Sequence, residues 1–411
     1  MPTLNKIRAA LTKDRGATPP ADPHLTRLRI AVTAFFAMDG FLFAGWVVRI
    51  PAIKAQTGAG AGTLGLALLG VSAGAVAFMM ITGRLCRRFG SHAVTTASAA
   101  ALALSIVLPP LTRSATALAL VLLVFGAAYG SLNVAMNSAA VDLISALRRP
   151  VMPSFHAAFS LGGMLGAGLG GLIAGSLSPT AHLLLLAAIG LLVTTVAGNA
   201  LRAHPAPAVP ERLPAAQESR PRHDRAGRGR RLVLVFGLIA LCTAYGEGAM
   251  ADWGALHLSQ DLGAGPGTAA AGYAVFALAM TVGRLSGTAL VQRFGAARAL
   301  IAGGTTATAG MLLGALAPSA GAACAGFAVA GLGLANIFPI AIARAGESGG
   351  PDGVAVASTV GYGGMLLGPP AIGFLAEAAG LPAALTTVAL LAAIAAVIAY
   401  ATRGAHRTGR P

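Results

Sequence analysis

Two carboxylates stand inside long apolar stretches of this sequence. Asp39 lies near the middle of residues 28–50, and Glu247 lies within residues 232–257; a glycine follows each acid. A charged side chain at the centre of a membrane costs about 2.5–3.5 kcal/mol on insertion scales. A carboxylate in such a setting tends to take up a proton, so its proton affinity can depend on whether a solute is bound. We therefore predict proton-coupling roles for both acids. For Asp39 the alternative is a fixed structural partner.

Amide and imidazole side chains inside other apolar runs are further candidates. Asn133 and Asn137 are four residues apart, so they share one face of a helix. Asn336 lies in a later run, and His156 stands early in another. Buried amides need hydrogen-bond partners, which can belong to a polar solute or to a neighbouring helix, and both alternatives stay open here. His156 is interpreted as a proton relay, with a local hydrogen bond as the alternative.

Aromatic side chains complete the set of candidate solute contacts. Trp46 and Trp253 are the two tryptophans of the chain, and each lies toward the end of an apolar run; Tyr362 stands between two glycines. Tryptophan can stack on a solute ring, but it is also common at membrane interfaces without any such role. The predicted solute-binding residues are Asp39, Trp46, Asn133, Asn137, Trp253, Asn336 and Tyr362.

The elements that must position these residues follow from composition. The chain of 411 residues is 56% hydrophobic and 10% charged, whereas soluble domains average about 25% charged residues. A helix rises about 1.5 Å per residue, so about 20 apolar residues cross a hydrocarbon core of about 30 Å. We predict an all-α polytopic membrane protein with twelve transmembrane helices at 28–50, 63–83, 93–111, 116–141, 152–177, 181–201, 232–257, 268–291, 297–317, 319–343, 354–378 and 381–402.

Lysine and arginine are distributed unevenly between these runs. If the N-terminus is cytoplasmic, all but four of the 29 basic residues fall on the cytoplasmic side; the exceptions are Arg49, Lys54, Arg113 and Arg284. This bias is what the positive-inside rule requires, so both termini are predicted to be cytoplasmic. The predicted organisation is a cytoplasmic tail (1–27), a six-helix half (28–201), a cytoplasmic linker rich in proline and arginine (202–231), a second six-helix half (232–402) and a short cytoplasmic tail (403–411).

Short patterns recur in the same order in the two halves. Residues 83–85 and 283–285 both read GRL, and residues 162–165 and 363–366 both read GGML. Two parallel six-helix repeats are typical of transporters whose symmetry axis lies along the membrane normal. The glycines in the fifth and eleventh runs predict close approach of other helices.

These features resemble the major facilitator superfamily over essentially the full length of the chain. The inner loop of that family carries a glycine, an aspartate and basic residues; Gly83, Arg88 and Gly90 match this pattern, but Arg87 stands where the aspartate is expected. The segments GWVVRIPAIKAQTG, SFHAAFSLGG and EGAMADW look like a bacterial branch related to the fucose-permease-like sugar transporters. The resemblance implies alternating access around a central site, usually coupled to protons.

A further set of residues is assigned to the inner loops and gates. Asp142, near the inner end of the fourth helix, is expected to pair with Arg148 or Arg149. The predicted gating and inner-loop residues are Arg84, Arg88, Gly90, Asp142, Arg284 and Arg293.

The leading hypothesis is a secondary transporter of the bacterial inner membrane that takes up a small polar solute, with sugar-like metabolites among the candidates, together with protons. The alternatives are a proton antiporter that exports a metabolite, drug or antibiotic, and a sensor or scaffold that uses the basic linker for docking. The sequence has no Walker loop, zinc-ligand spacing or catalytic triad, so we expect neither enzyme activity nor a metal or cofactor, with H⁺ as the coupling ion. The basic residues form no face interleaved with aromatics, which argues against nucleic acid. The expected partners are a solute and the lipid bilayer, with the chain as a monomer.

Overall fold

The computed structural model describes residues 22–59, 61–173, 176–203 and 222–403, and within these ranges the chain is almost entirely helical. A short helix, Ile50–Thr57, follows the first long one. The long helices are α1 (Pro23–Val47), α2 (Ala61–Phe89), α3 (Ser91–Ser105), α4 (Ala115–Leu147), α5 (Met152–Ile173), α6 (Pro179–Ala203), α7 (Arg222–Leu256), α8 (Pro266–Phe294), α9 (Ala296–Leu316), α10 (Ala320–Leu334), α11 (Ile337–Ala379) and α12 (Leu381–Thr402).

Eleven of the described helical segments are long and apolar enough to cross a membrane. One of them, Ala320–Ala379, has 60 residues, which is enough for two crossings at about 1.5 Å per residue. Its turning point is Gly350, where φ is +58°. Glycine adopts this conformation without the steric cost that a Cβ brings. The described chain therefore makes the twelve crossings predicted from the apolar runs.

Consecutive helices within each half alternate in direction because the connections between them are short. The start of α1, the α2–α3 and α8–α9 turns, Gly350 and the end of α12 therefore lie on one side of the bundle. We call this side the terminal face and the other side the opposite face. The sequence predicts that the terminal face is cytoplasmic.

Several helices extend beyond the predicted boundaries at the terminal face. The first begins at Pro23 rather than at residue 28, and α7 begins at Arg222 rather than at residue 232. Residues 222–231, predicted to belong to the linker, are thus helical. Apolar runs mark only the part of a helix that lies in lipid, and a helix can continue into water with polar side chains. Residues 1–21, 204–221 and 404–411 of the predicted tails and linker lie outside the described residues.

The tenth crossing is not the continuous helix predicted for residues 319–343. The helix α10 ends at Leu334, and Asn336 forms the N-cap of α11 without donating or accepting a capping bond through its side chain. The first part of α11 completes this crossing, and the part after Gly350 makes the next one. The apolar composition continues through residue 336 apart from its one amide, so hydropathy alone did not reveal the interruption.

Glycines bring α1 and α5 into backbone contact. A Cβ added to Gly40 would lie 2.0 Å from the carbonyl oxygen of Phe159, and one added to Gly162 would lie 2.0 Å from that of Ala37. The second half repeats this arrangement, because a Cβ on Gly364 in α11 would lie 2.3 Å from the carbonyl oxygen of Leu241 in α7. The predicted close approach of the glycine-rich helices is therefore observed in both halves. Each pair packs as one unit.

The two halves contact each other at the terminal face. A Cβ on Gly83 of α2 would lie 2.8 Å from Ala355 of α11, and one on Gly346 of α11 would lie 2.6 Å from Val141 of α4. Arg87 of α2 also forms an ion pair with Asp352 of α11. The structure thus shows a conformation that is closed on this face.

Candidate functional site

The carboxylate of Asp39 lies in the interior of the bundle and not toward lipid. The residue has 0% exposure, and neither carboxylate oxygen has a hydrogen-bond partner among the described residues. Phe43, one helical turn after Asp39 on α1, stacks on Tyr129 of α4 with ring centroids 4.9 Å apart. Asp39 shares this face of α1 with Phe43 and is therefore turned toward Tyr129, which in turn meets Tyr362 of α11.

Glu247 is paired, in contrast to Asp39. Arg284 of α8 donates from Nη2 to both carboxylate oxygens of Glu247, at 3.2 and 3.3 Å. The same guanidinium donates from Nη1 to Ser160 Oγ at 2.6 Å and from Nε to the carbonyl oxygen of Ala335 at 3.3 Å. Because Ser160 lies in α5, this arginine joins the two halves inside the membrane.

Arg284 was assigned to the gating and inner-loop set, and the structure places it elsewhere. It lies ten residues before the end of α8 at Phe294, about 15 Å along the helix axis, and is 7% exposed. An arginine at this depth needs an anionic or polar partner because a buried unpaired charge is costly. Glu247 and Ser160 supply these partners.

Asn133 and the two tyrosines connect the halves near Asp39. Asn133 Nδ2 donates to the Tyr362 hydroxyl at 3.3 Å, whereas Asn133 Oδ1 is buried without a partner among the described residues. The rings of Tyr129 and Tyr362 meet edge to face with centroids 6.3 Å apart. Tyr129 was not among the predicted site residues, although it stands one helical turn before Asn133 on the same face.

His156 and Asn137 form a second layer nearer the terminal face. His156 Nε2 lies 3.3 Å from Asn137 Oδ1, and Asn137 Nδ2 donates to the carbonyl oxygen of Asn133 at 2.8 Å. The imidazole packs edge-on against Phe36 at 5.2 Å and Phe338 at 5.9 Å. Asn137 is 0% exposed and His156 is 7% exposed. Both ends of the Asn137 amide thus have hydrogen-bond partners within the protein.

The side-chain amide of Asn336, like that of Asn133, has a hydrogen-bond partner within the described chain for its nitrogen but not for its oxygen. Its Nδ2 donates to the carbonyl oxygen of Gly283 at 2.8 Å, and its Oδ1 has no partner among the described residues. A Cβ on Gly287 would lie 1.9 Å from this oxygen, so α8 approaches the amide closely. The free oxygen lies at the break between α10 and α11.

The two tryptophans occupy different environments although they are related by the repeat. Trp46 is 2% exposed and packs against Phe125 with ring centroids 6.0 Å apart. It belongs to the core of the first half, where it has no free face for a solute. Trp253 is partly exposed, and its ring lies against Gly373 of α11, where an added Cβ would be 3.4 Å from the ring. Its indole N–H has no hydrogen-bond partner among the described residues. Trp253 keeps a group that can donate.

At the terminal face the predicted pairing of Asp142 differs from the observed one. Ser91 Oγ donates to Asp142 Oδ2 at 2.8 Å, and neither Arg148 nor Arg149 is paired with this carboxylate among the described residues. Arg148 ends α4 in the left-handed region with φ of +51°, which turns the chain away from the helix axis. Asp142 therefore joins α4 to the start of α3.

The other residues of the predicted inner-loop set lie at or near turns of the terminal face. Arg84 and Arg88 are exposed on α2, Gly90 takes φ of +84° in the α2–α3 turn, and Arg293 lies at the end of α8. Arg87, which replaces the expected aspartate, is the residue that pairs with the other half. No group of three or more potential metal-ligating His, Cys, Asp or Glu side chains occurs in the part of the chain that the structure describes.

Known proteins resemble this chain in sequence over most of its length. A sequence profile of the Major Facilitator Superfamily matches residues 30–253 and 237–411. An uncharacterised MFS-type transporter of Yersinia pestis is 35% identical over 372 residues, which cover 88% of this chain and 92% of the relative.

Solved structures of low sequence identity share the fold. The Escherichia coli fucose:proton symporter FucP matches with a TM-score of 0.75 at 17% identity, covering 92% of this chain and 99% of that one. The human organic anion transporter MFSD10 matches with a TM-score of 0.73 at 19% identity, covering 92% of this chain and 100% of that one. Proteins with different cargoes are thus equally similar in shape, so the cargo must be inferred from the site.

Proposed function

Since the chain belongs to the major facilitator superfamily of transporters, we propose that it moves a small polar solute, together with protons, across the bacterial inner membrane by alternating access. The observation that carries this proposal is Asp39, a fully buried carboxyl group whose two oxygens have no partner among the described residues. A permanently ionised carboxylate would be costly in this position. Protonation removes that cost, and so does a solute that donates hydrogen bonds.

The free groups around Asp39 suggest what the solute offers. Asn133 presents one unpartnered carbonyl oxygen, and Asp39 presents two further oxygens. These groups are predominantly acceptors, so a solute rich in hydroxyl groups satisfies them. Leaving them unpaired costs about 1–3 kcal/mol each. Sugars and sugar-like metabolites fit this requirement. Trp253, six residues after Glu247 on α7 and partly exposed, would stack on the solute ring.

The cross-half contacts support a rocking mechanism. The terminal face is closed by Gly83, Gly346 and the Arg87–Asp352 pair, and deeper in the membrane Arg284 bridges Ser160 and Glu247. Opening the terminal face requires breaking these contacts. Binding of the solute and a proton at Asp39 would then bias the equilibrium between the two conformations, because the contacts differ between them.

The proposal is tested with purified protein in liposomes that contain a pH-sensitive dye. We expect one member of a panel of L-fucose, D-glucose, D-xylose and galactitol to cause proton entry when added outside. Asp39→Asn should abolish proton entry but retain solute exchange, because it removes the titratable group and keeps a similar shape. Asp252→Asn is the matched control, since Asp252 is an exposed acid of α7.

Two results would contradict the proposal. Accumulation of the solute against its gradient by Asp39→Asn would exclude Asp39 as the coupling group. Solute-driven proton exit in place of proton entry would reverse the coupling and support the antiport alternative.

A further inference from the structure

A second concave site lies away from the central cluster. It is a groove of about 720 Å³ formed by α2, α3 and α4. Its walls are apolar: Phe78, Leu85 and Phe89 come from α2, and small side chains such as Ala97 come from α3. The groove is formed within the first half, so it does not depend on contact between the halves.

The geometry of α2 shows that the groove faces lipid. A helix turns about 100° per residue, so Phe78, Leu85 and Phe89 share one face, whereas Gly83 and Arg87 lie on the other side. Gly83 and Arg87 are the residues that contact α11. Phe78 is 42% exposed and Phe89 is 57% exposed. Because exposed apolar side chains of a membrane-spanning helix lie in hydrocarbon, lipid has direct access to the groove.

The groove has the depth of one leaflet. It begins beside Phe89, the last residue of α2 at the terminal face, and extends eleven residues back to Phe78. This distance corresponds to about 16 Å of helix, which is about half of a 30 Å hydrocarbon core. The length of the groove therefore suits one acyl chain of a lipid in the leaflet on the side of the terminal face.

A free positive charge stands at the mouth of the groove. The Arg88 guanidinium lies 5.2 Å from the centre of the Phe89 ring. In the described part of the chain no acidic side chain pairs with Arg88, whereas the neighbouring Arg87 is neutralised by Asp352. A basic side chain near an anionic membrane surface gains about 1 kcal/mol from the lipid charge.

We propose that this groove binds one acyl chain of an anionic phospholipid whose phosphate is held by Arg88. The apolar walls contribute by burying the chain, and the guanidinium supplies donors in the planar arrangement that suits phosphate oxygens. A bound lipid would lie against the side of α2 that faces away from α11. The site is separate from the central cluster, so it can be tested without knowing the transported solute.

The repeat provides matched controls for both parts of the site. Arg293 stacks on Phe294 at 5.4 Å in the corresponding turn of the second half. Ala302 follows Gly295 by seven residues, as Ala97 follows Gly90, and both alanines are exposed. Arg88→Gln is therefore compared with Arg293→Gln, and Ala97→Leu, which fills the groove, with Ala302→Leu.

Lipid retention is measured by native mass spectrometry of detergent-purified protein incubated with dioleoylphosphatidylglycerol or dioleoylphosphatidylcholine. We expect one retained phosphatidylglycerol, with phosphatidylcholine retained less. Loss of one charge contact of about 1 kcal/mol should lower phosphatidylglycerol affinity about fivefold in Arg88→Gln. Ala97→Leu should remove most of the retention, and neither control variant should change it appreciably.

Three outcomes would overturn the proposal. Equal retention of both lipids by the unmodified protein would show that the charge is irrelevant. Equal losses in Arg88→Gln and Arg293→Gln would show unspecific attraction to the basic face. Unchanged retention in Ala97→Leu, with folding verified by size-exclusion chromatography, would show that the groove does not hold the acyl chain.

Discussion

Neutralising Glu247 alone is expected to destabilise the protein more than neutralising Glu247 and Arg284 together. The guanidinium of Arg284 is held at 3.2 Å from the Glu247 carboxylate, and the arginine side chain is only 9% exposed. In Glu247→Gln the arginine keeps its charge, because it does not deprotonate in proteins. A positive charge then remains in a water-poor site without its counter-ion.

The magnitude follows from the distance and the burial. At 3.2 Å the Coulomb attraction is about 5 kcal/mol for an effective dielectric constant of about 20, before the opposing cost of desolvation. Removing one partner of a buried pair costs about 3–5 kcal/mol. Because the Glu247 side chain is 23% exposed, we take the lower end, about 3 kcal/mol. At about 2 °C per kcal/mol for units of this size, the Tm should fall by about 6 °C in Glu247→Gln.

The double variant Glu247→Gln with Arg284→Gln removes both charges and leaves two amides that can hydrogen-bond to each other. Its Tm should lie within about 2 °C of the unmodified protein, because replacing both members of a buried pair is often nearly neutral. Unfolding in detergent can be followed with a thiol-reactive dye, since Cys86 and Cys242 are buried in the folded state. Asp252→Asn serves as the control for loss of an acid from α7. The reasoning is refuted if the double variant is as unstable as Glu247→Gln or less stable.

Three further predictions concern packing, closure and the turn into the eleventh crossing. Gly162→Ala should lower the free energy of unfolding by about 1–3 kcal/mol, or fail to give monodisperse protein, because the added Cβ would overlap a carbonyl oxygen of α1. The control Gly168→Ala has open space around it and should behave like the unmodified protein. Equal yields of the two variants on size-exclusion chromatography would contradict this prediction. Arg87→Asp should increase the population that is open at the terminal face by up to about fivefold, because an exposed ion pair contributes about 1 kcal/mol. The population is measured by the alkylation rate of a cysteine placed at that face. Adding Asp352→Arg should reverse the increase, and no reversal would show that the pair has no role in closure. Gly350→Ala should lower the Tm by about 2–4 °C because the residue has φ of +58°, and an unchanged Tm would show that the turn tolerates a Cβ.

The twelve crossings could be predicted from the sequence because the membrane imposes a strong constraint on composition. Each helix needs about 20 apolar residues in lipid, and the boundaries in the hydrocarbon are therefore visible in the sequence. The ends outside the lipid are not, which is why α7 begins ten residues before its apolar run. The break at Asn336 was missed for a related reason, since α10 and the first part of α11 are equally apolar on both sides of it.

The site could be predicted only in part. Asp39 and Glu247 stand out because an acid in an apolar run is costly, and the structure buries Asp39 completely and pairs Glu247 with Arg284. Their neighbours depend on how each helix is rotated and on contacts between distant parts of the chain. Ser160 meets Arg284 across the halves, which no local pattern indicates. Trp46 was predicted to contact the solute, but its side chain is buried in the core of the first half, which the sequence alone did not indicate.

The glycine contacts between α1 and α5, and between α7 and α11, have a consequence for electrostatics. Gly40 fixes Asp39 to the first half, and Gly364 holds α7, with Glu247, in the second. In the proposed rocking motion each acid therefore travels with its own half, and the separation between the two carboxylates changes with the state. Electrostatic energy falls with distance, and Arg284 balances the charge of Glu247. Each proton bound or released by Asp39 therefore changes the energy difference between the states, because the ionised carboxylate lies at a different distance from the Glu247–Arg284 pair in each state.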